Sequence, residues 1–83
     1  MRKMKINPSL EGLKKAFEKI GLVTSFARSA YVNKLSLQKE NGLKVDIVFD
    51  KTINEYAVLS ENKRFFGIIS LQDVVSKTMS ILK

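Results

Sequence analysis

The sequence predicts an α+β domain in which an antiparallel meander of three to four strands lies between an N-terminal and a C-terminal helix. Large apolar residues recur at every second position from Leu43 to Phe49, the pattern of a half-buried strand. Turn signals bound this strand on both sides, and amphipathic stripes with helical spacing lie toward both ends of the chain. We expect both helices to cover the same face of the sheet.

The chain of 83 residues has room for one domain, residues 1–83. Its apolar fraction of 45% is typical of a folded protein. No apolar run approaches the roughly 20 residues of a membrane helix, and none of signal-peptide length follows the charged N-terminus. We therefore expect a cytoplasmic protein.

The first helix is predicted to begin near Asn7 as N-cap with Pro8 at the first helical position, or at Ser9 as the alternative cap. Residues 1–6 are interpreted as a basic arm or an edge segment. Apolar residues at helical spacing form its packing stripe: Leu10, Leu13, Phe17 and Ile20.

The segment 22–30 is open to three interpretations: a short strand, a helical turn or a packed connection. A strand-like pattern follows from Tyr31, which we expect to share a face with Leu35 and Leu37. The turn to residues 43–50 should use the three-residue loop 40–42, since a two-residue turn would set apolar side chains beside polar ones.

The next strands, residues 54–60 and 64–69, are apolar at consecutive positions and so must place apolar side chains on both faces. Phe65 and Phe66 in particular must point to opposite sides, and the sequence leaves open which of the two faces the helices. We expect the face without helices to be a protein interface, formed by Val48, Leu59, Phe66 and Ile68. A two-fold homodimer or another protein would cover it, unless residues 22–30 fold over it within the monomer.

Ser70 is predicted to cap the last helix, with Asp73 favourable in its first turn. The packing stripe of this helix is Leu71, Val74, Val75, Thr78 and Leu82, with Met79 and Ile81 beside it.

The composition argues against an enzyme. Histidine and cysteine are both absent, which removes imidazole bases, thiolate nucleophiles, disulfides and the commonest metal ligands. The carboxylates Asp46, Asp50 and Glu55 have the oxygen ligands that a hard cation needs, but an ordinary exposed sheet face is the favoured interpretation. We therefore expect no catalytic residues, metal site, cofactor or small-molecule substrate.

The net charge of +7 offers an alternative function, the binding of nucleic acid. The basic arm and first helix would supply the contacts: Arg2, Lys3, Lys5, Lys14, Lys15 and Lys19. Lys63 and Arg64 precede two aromatic residues, a combination that suits single strands.

The helix–strand–helix order resembles the double-stranded RNA-binding domain in outline. That family has a lysine cluster at the start of its second helix, where this chain reads Ser-Leu-Gln-Asp over residues 70–73. The resemblance therefore covers the order of elements only.

Overall fold

A computed structural model describes residues 10–83. Two helices flank five strands: α1 (Leu10–Lys19), β1 (Val23–Arg28), β2 (Val32–Gln38), β3 (Lys44–Asp50), β4 (Glu55–Ser60), β5 (Arg64–Ile68) and α2 (Leu71–Leu82). The α+β class is confirmed, with a higher strand count than the sequence predicted.

The strands form one antiparallel sheet in the order β1-β2-β3-β4-β5, so each strand pairs with its neighbour in the chain. Helix α1 packs on β1 and β2, whereas α2 packs on β3, β4 and β5. We call the side of the sheet that meets the helices the covered face. Its buried strand residues are Leu35, Leu37, Val45, Ile47, Val58 and Ile68.

The predicted register of the β2–β3 hairpin is confirmed. Leu37 lies opposite Val45, and Leu35 lies opposite Ile47, so both apolar sets enter the core. The amide of Lys39 donates to the carbonyl of Leu43 at 2.9 Å, which closes a three-residue loop. Gly42 in this loop has φ +92°, a conformation in which a Cβ would be strained.

Residues 23–28 form β1 at one edge of the sheet, so they do not fold over the opposite face. Phe26 lies opposite Leu35 and packs against the core. Tyr31, predicted to share a face with Leu35, is exposed instead. The reason is that it lies in the β1–β2 turn, before β2 begins at Val32.

Leu10 and Phe17 of α1 are buried as predicted, but Ile20 is 60% exposed. The helix ends at Lys19, and Leu22 donates its amide hydrogen to the carbonyl of Phe17 in place of a further helical turn. Ile20 therefore leaves the packing stripe. The predicted start of α1 at residues 7–9, and the arm or edge segment 1–6, lie outside the described residues.

Ile68 does not lie on the helix-free face, where the sequence placed it: it is buried on the covered face, with 6% of its surface exposed. Val58 pairs with Phe65 and Tyr56 pairs with Ile68, so β5 uses one residue more than β4 over the same length. This β-bulge contains Gly67 at φ +69°. Because the extra residue shifts the alternation, Phe65 and Ile68 both face the helices.

Helix α2 begins as predicted, because the Ser70 hydroxyl accepts a hydrogen bond from the amide of Asp73 at 3.2 Å. Val74, Thr78 and Leu82 are buried against the sheet. At the other end of α2, Lys39 Nζ donates to the carbonyl of Leu82 at 2.7 Å and ties the helix to the β2–β3 hairpin.

Candidate functional site

The side of the sheet opposite the helices, the open face, is the candidate site. It consists of the even-numbered residues of β2 and β3, the odd-numbered residues of β1 and β4, and Arg64 and Phe66 of β5. No described element packs on it, since both helices lie on the covered face. Of the four predicted interface residues, Val48, Leu59 and Phe66 lie here and Ile68 does not.

The apolar part of the open face centres on Phe66, which is 69% exposed. Phe66 lines a shallow depression of about 400 Å³ with Leu59 and Arg64. It also lines a second depression of about 230 Å³ with Val48 and Ile53. We call Val48, Ile53, Ala57, Leu59 and Phe66 the apolar patch; a sheet position facing water normally carries polar residues.

The sequence did not predict that Ile53 belongs to this patch, whereas Ala57 was one of two alternatives for this face. Ile53 lies in the β3–β4 turn, where no periodicity indicates a direction, and it is 60% exposed. Ala57 is directly opposite Val48 across the β3–β4 pair. The alternation of β4 left its face open, and its small side chain gave no signal of its own.

Charges of both signs surround the apolar patch. Lys34, Lys44 and Arg64 lie on the open face together with Asp46 and Glu55. Asp46 is opposite Leu59, and Leu59 is opposite Arg64, so an anion and a cation lie on either side of an apolar residue. Within residues 10–83, these open-face charges form no ion pairs with one another. A mixed surface of this kind lacks the single sign of charge that attracts a polyanion.

The three carboxylates do not gather into a metal site: no group of three ligating side chains lies together in the described part of the chain. Asp50 instead forms hydrogen bonds within the β3–β4 turn. Its carboxylate accepts hydrogen bonds from the hydroxyl and the amide of Thr52, and these hold the pKa of Asp50 below its usual range. This bonding shapes the β3–β4 turn.

Three of the six residues of the predicted basic patch lie in the described part of the chain, all of them on α1. Lys14 forms an ion pair with Glu18 at 2.8 Å, and the hydrogen bonds from Lys14 and from Thr24 lower the pKa of Glu18. Lys15 and Lys19 are exposed. Arg2, Lys3 and Lys5 lie outside the described residues.

The basic–aromatic run 63–66 is divided between the two faces of the sheet. Arg64 and Phe66 lie on the open face, whereas Phe65 packs against the core with Lys77 Nζ 5.6 Å from its ring centre. The run therefore offers one aromatic ring, not two, for stacking on the open face.

Comparison with known proteins gives no match: no family model, no curated protein and no solved structure matches the chain significantly. Among residues 10–83 there is no helix of the length and apolar character that crossing a membrane requires.

Proposed function

We propose that this protein is a non-enzymatic interaction module that self-associates through the open face. The observation that carries the proposal is Phe66, a large aromatic side chain that is 69% exposed beside two depressions, opposite the helices. Removing such a ring from water is worth roughly 1.5–3 kcal/mol, a large share of the stability of a small domain.

A second copy is the partner that fits the open face best. The face carries cations and carboxylates on either side of its apolar patch, so two copies related by a two-fold axis can pair opposite charges in duplicate.

The test is the mass of the protein in solution, measured by sedimentation equilibrium over a wide concentration range. We expect the Phe66→Lys protein to have half the mass of the wild-type assembly, because a charge would be buried without a partner in the interface. Its circular dichroism should be unchanged, since Phe66 does not contribute to the core.

Ile20→Lys is the matched control. Ile20 is a similarly exposed apolar residue, but it lies at the end of α1 and not on the open face. This variant should keep the wild-type mass. A wild-type protein that stays monomeric at high concentration, or a Phe66→Lys protein of unchanged mass, would contradict the proposal.

Nucleic-acid binding is the second candidate, supported by the net charge of +7 and by Lys15 and Lys19, which lie one turn apart on the exposed side of α1. If it operates, affinity should fall with salt by a logarithmic slope of about −0.9 per neutralised phosphate of duplex DNA. Lys15→Glu with Lys19→Glu should weaken binding without unfolding. Absence of binding to duplex and single strands at about 50 mM salt would remove this candidate.

A further inference from the structure

Within residues 10–83, the outer edge of β1 has no strand beside it. Strand β1 is the first strand of the described sheet, and among these residues it pairs only with β2. Ser29 donates its amide hydrogen to the carbonyl of the directly opposite Val32 at 2.8 Å, which identifies a hydrogen-bonded pair. Such pairs alternate along an antiparallel ladder, so Val23, Ser25 and Ala27 bond to β2. The amide and carbonyl groups of the intervening Thr24, Phe26 and Arg28 therefore point away from the sheet, and we call these groups the β1 edge.

The other edge of the sheet, β5, is protected in a way that β1 is not. The bulge at Gly67 interrupts the regular spacing of β5, a device that discourages pairing with another strand. Strand β1 instead pairs in an unbroken register over six residues and contains no proline and only one charged residue, Arg28. A regular, unguarded edge is a template for strand addition.

We propose that the β1 edge pairs with the β1 edge of a second copy, antiparallel, about a two-fold axis at Phe26. Directly opposite residues of an antiparallel pair point to the same face of the sheet. Only two central registers satisfy this condition for β1 against itself: Phe26 opposite Phe26, or Ser25 opposite Ser25. In the first register, all three residues of the β1 edge lie opposite a residue of the β1 edge of the second copy. Phe26 lies opposite Phe26, and Thr24 lies opposite Arg28.

Charge complementarity selects the same register. The Thr24 hydroxyl donates to the Glu18 carboxylate at 2.6 Å, so this carboxylate lies over the place where Arg28 of the second copy would enter. The two-fold axis repeats the contact, which gives two identical cation–carboxylate pairs. Within its own chain, the Arg28 guanidinium lies 2.9 Å from the Glu11 carboxylate of α1. The side chain of Arg28 is therefore long enough to contact a carboxylate on a helix that covers the sheet. In the register centred on Ser25, Arg28 would lie past the paired residues, opposite Leu22, and would have no carboxylate there.

This contact is independent of the proposed function. It uses the backbone of β1, and its two-fold axis is perpendicular to the sheet, so the open face with Phe66 stays uncovered. The two surfaces can therefore be tested separately. The Phe66→Lys protein, which lacks the open-face contact, is the background in which to test the β1 edge.

The test is amide hydrogen exchange in the Phe66→Lys protein, followed by NMR at a series of protein concentrations. We expect the amides of Thr24, Phe26 and Arg28 to become protected as the concentration rises. The amides of Ser25 and Ala27, which bond to β2 within the chain, should be protected at every concentration and serve as internal controls. Amides of Thr24, Phe26 and Arg28 that exchange freely at all concentrations, or that are protected equally at all concentrations because the chain itself covers the edge, would overturn the proposal.

The register is tested by exchanging the charges, again in the Phe66→Lys background. Arg28→Glu and Glu18→Lys each place like charges together across the axis, so each variant alone should lose the concentration-dependent protection. An equimolar mixture of the two restores both opposite-charge pairs and should regain it. Both residues are exposed, so the fold should survive either change. A mixture that behaves like the separate variants would refute this pairing.

Discussion

Phe65 and Phe66 are neighbours in the chain, but they lie in opposite environments. Phe65 packs against the hydrophobic core on the covered face, whereas Phe66 projects from the open face with most of its ring in water. The covered face explains why the chain folds, because its apolar residues are those that two helices can bury. The open face carries apolar residues that folding does not need, and this excess is the basis of the proposed interface.

The largest expected difference between the covered face and the open face is the cost of shortening a leucine side chain to alanine on each. Leu35 is fully buried, so Leu35→Ala should lower the free energy of unfolding by about 3 kcal/mol. Leu59→Ala on the open face should cost well under half of that, measured by urea unfolding of the monomer. If the two losses were equal, Leu59 would have to be as closely packed within one chain as Leu35, and the open face would not be open.

The bulge in β5 can be tested with Gly67→Ala. The nearest atom that an added Cβ would meet is Glu55 Oε1 at 4.0 Å, so the expected cost comes from the positive φ and not from a clash. We expect a loss of about 1 kcal/mol in the free energy of unfolding. An unchanged stability would show that the strand can relax out of the bulge, and Ile68 would then be free to leave the core.

Two buried polar atoms in the described part of the chain have no hydrogen-bond partner, Asn33 Oδ1 in β2 and Thr78 Oγ1 in α2. Of these two residues, Thr78 is fully buried. Thr78→Val keeps the shape of the side chain and removes the unsatisfied group, so it should stabilise the protein by about 1 kcal/mol in thermal or urea unfolding. Thr78→Ser retains the hydroxyl and loses a methyl group, and it should destabilise. A destabilising Thr78→Val would mean that the hydroxyl is satisfied in solution.

The smallest expected effect is a dependence on pH at the edge of the open face. Hydrogen bonds from Thr52 lower the pKa of Asp50 in the folded state, so their contribution to stability is present above the unfolded pKa of about 4. It is lost as the pH falls through the lower, folded pKa. In Thr52→Val, the pKa of Asp50 measured by NMR titration should rise toward its ordinary value. A pKa that does not move would show that Thr52 is not its cause.

The parts of the fold that the sequence predicted are those where burial alone decides the structure. Strand β3 and its loop to β2 were predicted because a shift of one residue would expose Val45 and Ile47. The sequence did not decide whether the residues of β1 form a strand. Of the three β1 residues on the covered face, only Phe26 is large and apolar, and Thr24 and Arg28 lie on either side of it. Here β1 is held by its backbone pairing to β2 and by contacts with α1, neither of which a hydrophobic pattern reveals.

The candidate site was predicted in part for a related reason. Val48 followed from the alternation of β3. In β4 and β5, alternation required apolar residues on both faces but left open which face holds Leu59 and which holds Phe66. Ile68 was placed on the wrong face, because the bulge at Gly67 shifts the alternation by one position. A glycine inside an apolar strand is a sequence signal of a β-bulge, so Gly67 is the residue from which this shift could have been predicted. The pattern of side chains in the sequence does not reveal the β1 edge, because this edge consists of backbone groups.

The meander has a further consequence for the kinetics of folding. Every strand pairs with the strand next to it in the chain, α1 packs on β1 and β2, and α2 packs on the last three strands. Few long loops must therefore be closed before stabilising contacts form, and low contact order of this kind favours rapid folding. The sheet can grow one hairpin at a time as the chain leaves the ribosome, and the bond from Lys39 to Leu82 can form only after α2 has been made.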